Sequence, residues 1–258
     1  MLTCWITGAS SGIGRALALL LAEHGHTVYI SARSAAALDE MASLHSGHLF
    51  PLPCDVSDDA AMAALFRNAP AAPVALDLVI LCAGICEYID LPDLDTASIR
   101  RVMDVNFHGI VNASRAALPL LQLAAKRNPT RRPELLGVSS MSCHVGFPRA
   151  EAYGASKAAM AYFLKSLRCD VQQWLDVTIV YPGFVATPMT GSNDFPMPFI
   201  VSADAAAEFV VGRLGQSRRS ISFPWQLQYL LRVASLLPGL WYGVIVKKLS
   251  RQQPSGGN

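Results

Sequence analysis

Tyr153 and Lys157 stand four residues apart in the run Tyr-Gly-Ala-Ser-Lys, and Ser140 stands thirteen residues before the tyrosine. On a helix, four residues make about one turn, so a phenol and an ammonium at this spacing project from one face. The arrangement sets a positive charge beside a potential acid. A phenol alone titrates near ~10, too high to exchange protons readily at neutral pH, and lowering it by about two units takes roughly 2.7 kcal/mol. A unit charge about 4 Å away at an effective dielectric near 20 supplies about 4 kcal/mol. Lys157 is therefore expected to lower the Tyr153 pKa and make the phenol a working acid/base. The plain alternative is a surface pair on an ordinary helix, since such pairs are common helix neighbours. The rest of the chain decides between the two.

A glycine turn near the start supplies the second piece of chemistry. Leu2-Thr3-Cys4-Trp5-Ile6 is a short apolar run expected to form a buried strand. Thr7-Gly8-Ala9-Ser10-Ser11-Gly12-Ile13-Gly14 follows it, and a helical pattern runs from Arg15 to Glu23. Strand, glycine turn and helix form the mouth of a dinucleotide site: glycines let the backbone approach a pyrophosphate, and the helix N-terminus favours negative charge. The spacing is G-x-x-x-G-x-G rather than the common G-x-G-x-x-G, so its place between a strand and a helix carries the inference.

Together these residues resemble the short-chain dehydrogenase/reductase family, of the Tyr-x-x-x-Lys type, from residue 2 to about 190. Thr7 to Gly14 matches the family's cofactor turn. Cys54-Asp55-Val56 sits where the family places an adenine-contacting Asp, and Asn106 in Val-Asn-Phe-His-Gly matches its catalytic asparagine. Ser140, Tyr153 and Lys157 match its catalytic serine, tyrosine and lysine, and Tyr181 to Thr187 matches its nicotinamide-side loop. Where the family has Asn-Ala-Gly after the fourth strand, this chain has Cys82-Ala83-Gly84, which puts the local support of the sheet in question. The resemblance implies catalysis by Asn106, Ser140, Tyr153 and Lys157. It implies cofactor contacts from Gly8, Ser10, Ser11, Gly12, Ile13, Gly14, Arg33, Asp55, Val56, Ala83, Gly84, Tyr153, Lys157, Pro182, Gly183, Val185 and Thr187. In this reading Tyr153 exchanges a proton with the substrate oxygen. Ser140 hydrogen-bonds that oxygen, and Lys157 holds the nicotinamide ribose. Asn106 anchors a water linking Lys157 to solvent. Ser139, Ser142, His108 and His144 lie close by and are taken as structural.

The elements that must position these groups alternate in the same way along the chain. Strands are expected at 28–31, 48–53, 76–81, 135–139 and 177–181. Helices are expected at 38–44, 58–67 with Ser57 as N-cap, 98–123 and 151–174. Such alternation implies an α/β fold: a single-domain, Rossmann-type, doubly wound parallel sheet with helices on both faces, over residues 1–251. The second strand ends in Ser31-Ala32-Arg33-Ser34. An acidic residue there holds the ribose 2′-hydroxyl of NAD, and a nearby Arg accommodates the 2′-phosphate of NADP. Ala32 followed by Arg33 therefore favours NADP(H), because a guanidinium binds a phosphate bidentately and a carboxylate repels it.

Composition narrows the class. The chain has 258 residues, 52% hydrophobic and 16% charged, with a net charge of +2. That charge is too small to argue for nucleic acid. The six cysteines show neither a C-x-x-C pair nor zinc spacing, so no metal is expected and a reducing compartment is. With its first strand beginning at residue 2, the chain is expected to carry no signal peptide and to be cytoplasmic. A substrate lid is expected at about 188–222, an apolar C-terminal segment at 223–249 and a disordered tail at 252–258. From Phe223 to Val246 the one charge is Arg232, which shares a narrow stripe with Gln228 and Ser235, and Pro238-Gly239 interrupts the run before Lys247-Lys248. That break and the charge argue against a membrane span. Three roles stay open for the segment: a cover on the substrate pocket, an interface in a homo-oligomer (dimer or tetramer), or shallow contact with the inner face of a membrane. The function expected is NADP(H)-dependent interconversion of a hydrophobic alcohol and its carbonyl compound. The alternative is a catalytically weak NADP(H)-binding regulatory or membrane-peripheral protein of the same fold.

Overall fold

A computed structural model describes residues 1–69, 72–191, 193 and 195–246. Lys247, Lys248 and the expected tail at 252–258 lie outside the described residues. The chain begins with β1 (Thr3–Thr7), α1 (Gly12–Glu23), β2 (Thr27–Ser31), α2 (Ala35–Leu44), β3 (Leu49–Pro51), α3 (Asp59–Asn68) and β4 (Leu78–Leu81). It continues through α4 (Thr96–Met103), a π-helical turn (Asp104–His108), α5 (Gly109–Arg127), β5 (Glu134–Val138), α6 (Glu151–Val171) and β6 (Asp176–Pro182). A two-stranded ladder of β7 (Val185–Ala186) and β8 (Val201–Ser202) leads to α7 (Ala203–Val211), β9 (Ser220–Phe223), α8 (Trp225–Leu236) and the short α9 (Pro238–Leu240).

The main sheet has seven parallel strands in the order β3-β2-β1-β4-β5-β6-β9. Both of its faces are covered, so its strands are almost continuously apolar. Alternate residues serve opposite layers. Trp5, Val79, Leu81, Leu135 and Val177 join the core beneath α3, α5 and α6, whereas Cys4, Ile6, Leu78, Ile80 and Leu136 join the core beneath α1, α2 and α7. The strand order reverses between β1 and β4, and a sheet of this kind binds ligands outside the carboxyl ends of the strands at that point.

Three local differences from the sequence reading have physical causes. Helix α3 is capped by Asp58, whose carboxylate accepts from the Ala61 N–H at 2.9 Å, while Ser57 donates its N–H and hydroxyl to Asp55 at 2.9 and 2.7 Å. The single helix expected at 98–123 is α4 and α5 joined by the π-helical turn, which a period count averages away. The stretch 188–222 does not form one lid-like segment. Its latter part is α7, packed on α1, and the beginning of β9, which adds a seventh strand to the main sheet.

Candidate active site

Two cavities meet at the carboxyl ends of the strands. The first, of about 270 Å³, is bounded by the glycine turn, the ends of β2 and β3, the loop after β4, and residues 182–190. Every residue assigned above to cofactor contact lines it. The turn is built for close approach. Gly8 has φ +68°, and a Cβ there would lie 2.7 Å from the Ala83 backbone. A Cβ at Gly14 would lie 2.3 Å from the Gly8 carbonyl oxygen. Arg33 is exposed beside Ser10, Ser11 and Ala32, and among the described residues it has no ion pair.

The second cavity, about 1010 Å³, is mostly apolar. Its walls include Tyr88, Phe147, Phe184, Phe195, Leu227, Leu231 and Trp241. The rings brace one another: Phe147 and Trp241 meet edge to face at 5.4 Å, and Phe184 and Phe195 at 6.1 Å. Tyr88 donates to the Asn193 carboxamide oxygen at 2.5 Å, and the Trp241 indole N–H donates to the Gly146 carbonyl at 3.0 Å. The C-terminal segment thus forms one wall of this cavity. Ser140 and Tyr153 line both cavities, as do Gly183, Met189 and Thr190.

Around this shared wall the four expected catalytic side chains converge. Tyr153 and Lys157 lie one turn apart on α6, Ser140 follows β5, and Asn106 lies in the π-helical turn. Asn106 is fully buried. Its Oδ1 accepts from the Ile85 N–H at 2.8 Å, and its Nδ2 donates to the Ile85 carbonyl and to Ser156 Oγ, both at 2.9 Å. Both of its side-chain donors are therefore spent on bracing the loop after β4 against α6. Ser156 in turn donates to the Tyr153 carbonyl at 2.8 Å.

The titration of the Tyr–Lys pair differs from the expectation. The Lys157 Nζ lies 5.8 Å from the centre of the Tyr153 ring and donates to the Val138 carbonyl at 2.9 Å. Burial pushes the lysine down to about 8, and burial pushes the Tyr153 phenol above its ordinary value, with a hydrogen bond from Ser140 opposing the rise. Desolvation of both groups outweighs the charge effect that the four-residue spacing suggested.

Ser142, which the sequence alone marks only as a structural neighbour, positions Ser140. Ser140 Oγ accepts from the Ser142 N–H at 3.1 Å and from the Ser142 hydroxyl at 3.0 Å. With both lone pairs occupied, the single Ser140 proton is left to point toward Tyr153. A serine two residues from a turn serine gives no signal of this in the sequence. Ser139 does act structurally, donating to the Lys157 carbonyl at 2.9 Å. His108 pairs with Asp104 at the surface, and His144 packs against Tyr181.

Comparison with known proteins places this geometry among relatives. The family model described as short chain dehydrogenase matches residues 3–195. An uncharacterized oxidoreductase of Myxococcus xanthus is 34% identical over 251 residues, which is 96% of this chain and 97% of the relative. A cis-4-hydroxycyclohexanecarboxylate dehydrogenase of Sinomonas cyclohexanicum is 33% identical over 215 residues, 82% of each chain. The crystal structure of a short chain dehydrogenase/reductase from Burkholderia phymatum in complex with NAD superposes with a TM-score of 0.81 at 20% identity, covering 93% of this chain and 94% of that one.

Proposed function

The chain belongs to the short-chain dehydrogenase/reductase family, whose members bind NAD(P), and from that premise we propose that it is an NADP(H)-dependent oxidoreductase. Its substrate in this reading is a hydrophobic secondary alcohol and its ketone, or an aldehyde and its alcohol. The observation that carries the reading is the shared wall. Ser140 and Tyr153 line the cleft at the glycine turn on one side and an apolar cavity on the other.

The glycine turn fits a pyrophosphate because it lies at the N-terminus of α1 and lines the cleft, while close packing of Gly8 on Ala83 and of Gly14 on Gly8 fixes its shape. Arg33, exposed and without an ion pair among the described residues, fits the 2′-phosphate of NADP(H). A nicotinamide dinucleotide held there would supply or accept the hydride. In the reducing direction Tyr153 gives its proton to the carbonyl oxygen, and its raised pKa keeps that proton in place at neutral pH. Ser140, oriented by Ser142, donates a hydrogen bond to the same oxygen as negative charge develops on it. Lys157 presents its ammonium to the cleft, where it holds the ribose, and Asn106 fixes the loop and helix between which that ammonium sits. The apolar cavity supports a bulky hydrophobic substrate, and the alicyclic alcohol in the name of the Sinomonas relative agrees with a ring-borne carbinol. A purely regulatory dinucleotide binder would need the cleft alone. It would leave the Ser142–Ser140–Tyr153 chain and the second cavity without a use.

Fluorescence titration of NADPH and NADH against the wild type and Arg33→Ala tests the cofactor half. Loss of one charge-assisted contact is worth roughly 1.5–3 kcal/mol, so NADPH binding should weaken by about 10- to 100-fold while NADH binding stays within about twofold. Equal losses for the two cofactors would show that Arg33 does not meet the 2′-phosphate. A panel of ketones, aldehydes and alcohols scored by NADPH absorbance tests the other half, and an absence of turnover across it would overturn the enzymatic reading.

A further inference from the structure

Helix α8 is apolar on two opposite faces. Leu227, Leu231 and Ala234 are buried against the body of the protein. On the outer side, Trp225, Tyr229 and Leu236 form a stripe at i, i+4 and i+11 and are 71%, 68% and 80% exposed. Arg232, at i+7 of the same stripe, is exposed as well. The expected polar stripe is therefore only half of what faces water: Arg232 and Ser235 are exposed and Gln228 is half-buried, but the leucines and aromatics beside them are bare. Leu237 and Leu240 extend the exposed apolar surface into α9. Helices on a soluble body turn polar residues outward, and a contiguous bare apolar surface marks a contact site.

The charge around this surface points to one occupant. All nineteen Asp and Glu residues lie at or before Glu208, whereas Arg213, Arg218, Arg219, Arg232, Lys247, Lys248 and Arg251 follow it. The first three of these precede β9; Arg232, Lys247 and Lys248 belong to the segment that carries the apolar stripe, and Arg251 follows it in the sequence. Val246 lines the apolar cavity, and Lys247 and Lys248 are the next two residues in the sequence. Tryptophan and tyrosine among leucines, with basic residues as the only charged ones, is the composition of a helix lying in the headgroup layer of an anionic bilayer. A second copy of the chain fits less well. A two-fold contact would set the patch against itself and bring like charges together. Carboxylates at the cavity rim belong to other elements: Asp90 is engaged by Arg149 at 2.7 Å, and Glu151 begins α6. Among the described residues no helix is long and apolar enough to cross a membrane, so the contact is a surface one.

The same segment borders the cavity. Leu230 and Tyr242 line it and are 45% and 53% exposed, so its wall runs into the bare surface. We propose that the α8–α9 face docks on an anionic lipid bilayer and admits a hydrophobic substrate from the lipid into the apolar cavity. The admission step rests on the reading of that cavity as the substrate site; the docking step does not.

Co-sedimentation of the full chain with vesicles of phosphatidylcholine alone, and with about 30% phosphatidylserine added, tests the docking. Partitioning should be at least about tenfold stronger on the anionic vesicles and should fall with salt. The double variant Leu236→Glu/Leu240→Glu alters two exposed residues that do not line the cavity. It should partition at least about tenfold less while NADPH-dependent turnover of a small water-soluble carbonyl stays within about twofold. Lys247→Gln/Lys248→Gln should weaken partitioning by roughly 25-fold, since each basic residue near an anionic surface is worth about fivefold. Absent partitioning, equal partitioning on both vesicle types, or wild-type partitioning by the glutamate variant overturns the proposal. So does light scattering that shows a wild-type dimer which the glutamate variant dissociates. Anionic-selective partitioning with no carbonyl turnover supports docking and counts against the substrate reading instead.

Discussion

Replacing Lys157 by methionine should stabilise the protein and silence it at once. Lys157 is 4% exposed, and the hydrogen-bond partners of its ammonium are the Val138 carbonyl at 2.9 Å and the Met160 sulfur at 3.8 Å. Burial holds it at about 8 against an ordinary 10.5. At about 1.4 kcal/mol per pH unit, that displacement corresponds to roughly 3 kcal/mol against the folded state at neutral pH. The sign follows from proton counts. Between about pH 8 and 10.5 the unfolded chain keeps this proton and the folded chain does not, so stability rises with pH across that window, and the full cost applies below it. Methionine keeps the apolar stem and removes the charge, but leaves the Val138 carbonyl without this donor, which costs about 1 kcal/mol. The net gain at pH 7 is therefore about 2 kcal/mol, or roughly 4–8 °C in Tm for a chain of this size. Thermal unfolding of both proteins without added dinucleotide, followed by circular dichroism from pH 7 to 10, reads the gap between them, so other titrating groups cancel. The gap should shrink steadily above pH 8. An equal or lower Tm for the variant at pH 7, or a gap that does not change with pH, would refute the reasoning. Turnover should fall at least about hundredfold in the same variant.

Tyr153→Phe should keep the fold and NADPH binding yet lose nearly all turnover; retention of more than about a tenth of the wild-type rate on a good substrate would mean another group supplies the proton. Ser142→Ala removes one of the two donors to Ser140 and should lower kcat about five- to tenfold with KM nearly unchanged, with Ser142→Thr restoring most of the rate. A change confined to KM would show that Ser142 does not act through Ser140. Gly14→Ala sets a methyl 2.3 Å from a backbone oxygen, so fluorescence titration should show dinucleotide binding weakened by more than about tenfold with the far-ultraviolet dichroism unchanged. Wild-type affinity would mean the turn is not the cradle described.

The sheet and its cleft were legible because each strand is a short apolar run bounded by turn residues, and because the glycine turn, Asn106, Ser140 and the Tyr–Lys pair sit at the family's spacing. Four things were hidden. The π-helical turn adds one residue to one turn, and hydrophobic periodicity over a long window does not register it. Strand β9 carries serines at positions 220 and 222, so its four residues resemble a loop until β6 pairs with them. The protonation states followed from burial, and Lys157 is buried in part by residues as distant in the chain as Val138 and Gly84, which the helix that carries it does not reveal. The shape of the second cavity was likewise out of reach, because Tyr88, Phe147, Phe195 and Trp241 come from four separate segments with no shared spacing.

The departure at Cys82 shows how this fold supports the loop after β4 without the family's asparagine there. Thr7, at the end of β1, accepts on its hydroxyl from the Cys82 and Ala83 N–H groups at 3.1 and 3.3 Å. One residue past Gly84, Asn106 satisfies both the N–H and the carbonyl of Ile85. The loop is thus pinned on either side of Gly84 by side chains from β1 and from the π-helical turn. A carboxamide at position 82 is not needed to occupy those amides. The thiol that replaces it is pushed up to about 11 by burial and receives the Gly14 N–H, so it stays protonated and fills space beneath the glycine turn. Gly84 packs closely against two side chains: a Cβ there would lie 3.2 Å from both Asn106 Oδ1 and Lys157 Nζ and would press on them. The order of the dinucleotide cleft therefore depends on Thr7 and Asn106 holding one loop from two sides, and the residue at position 82 is free to vary as long as it is small and uncharged.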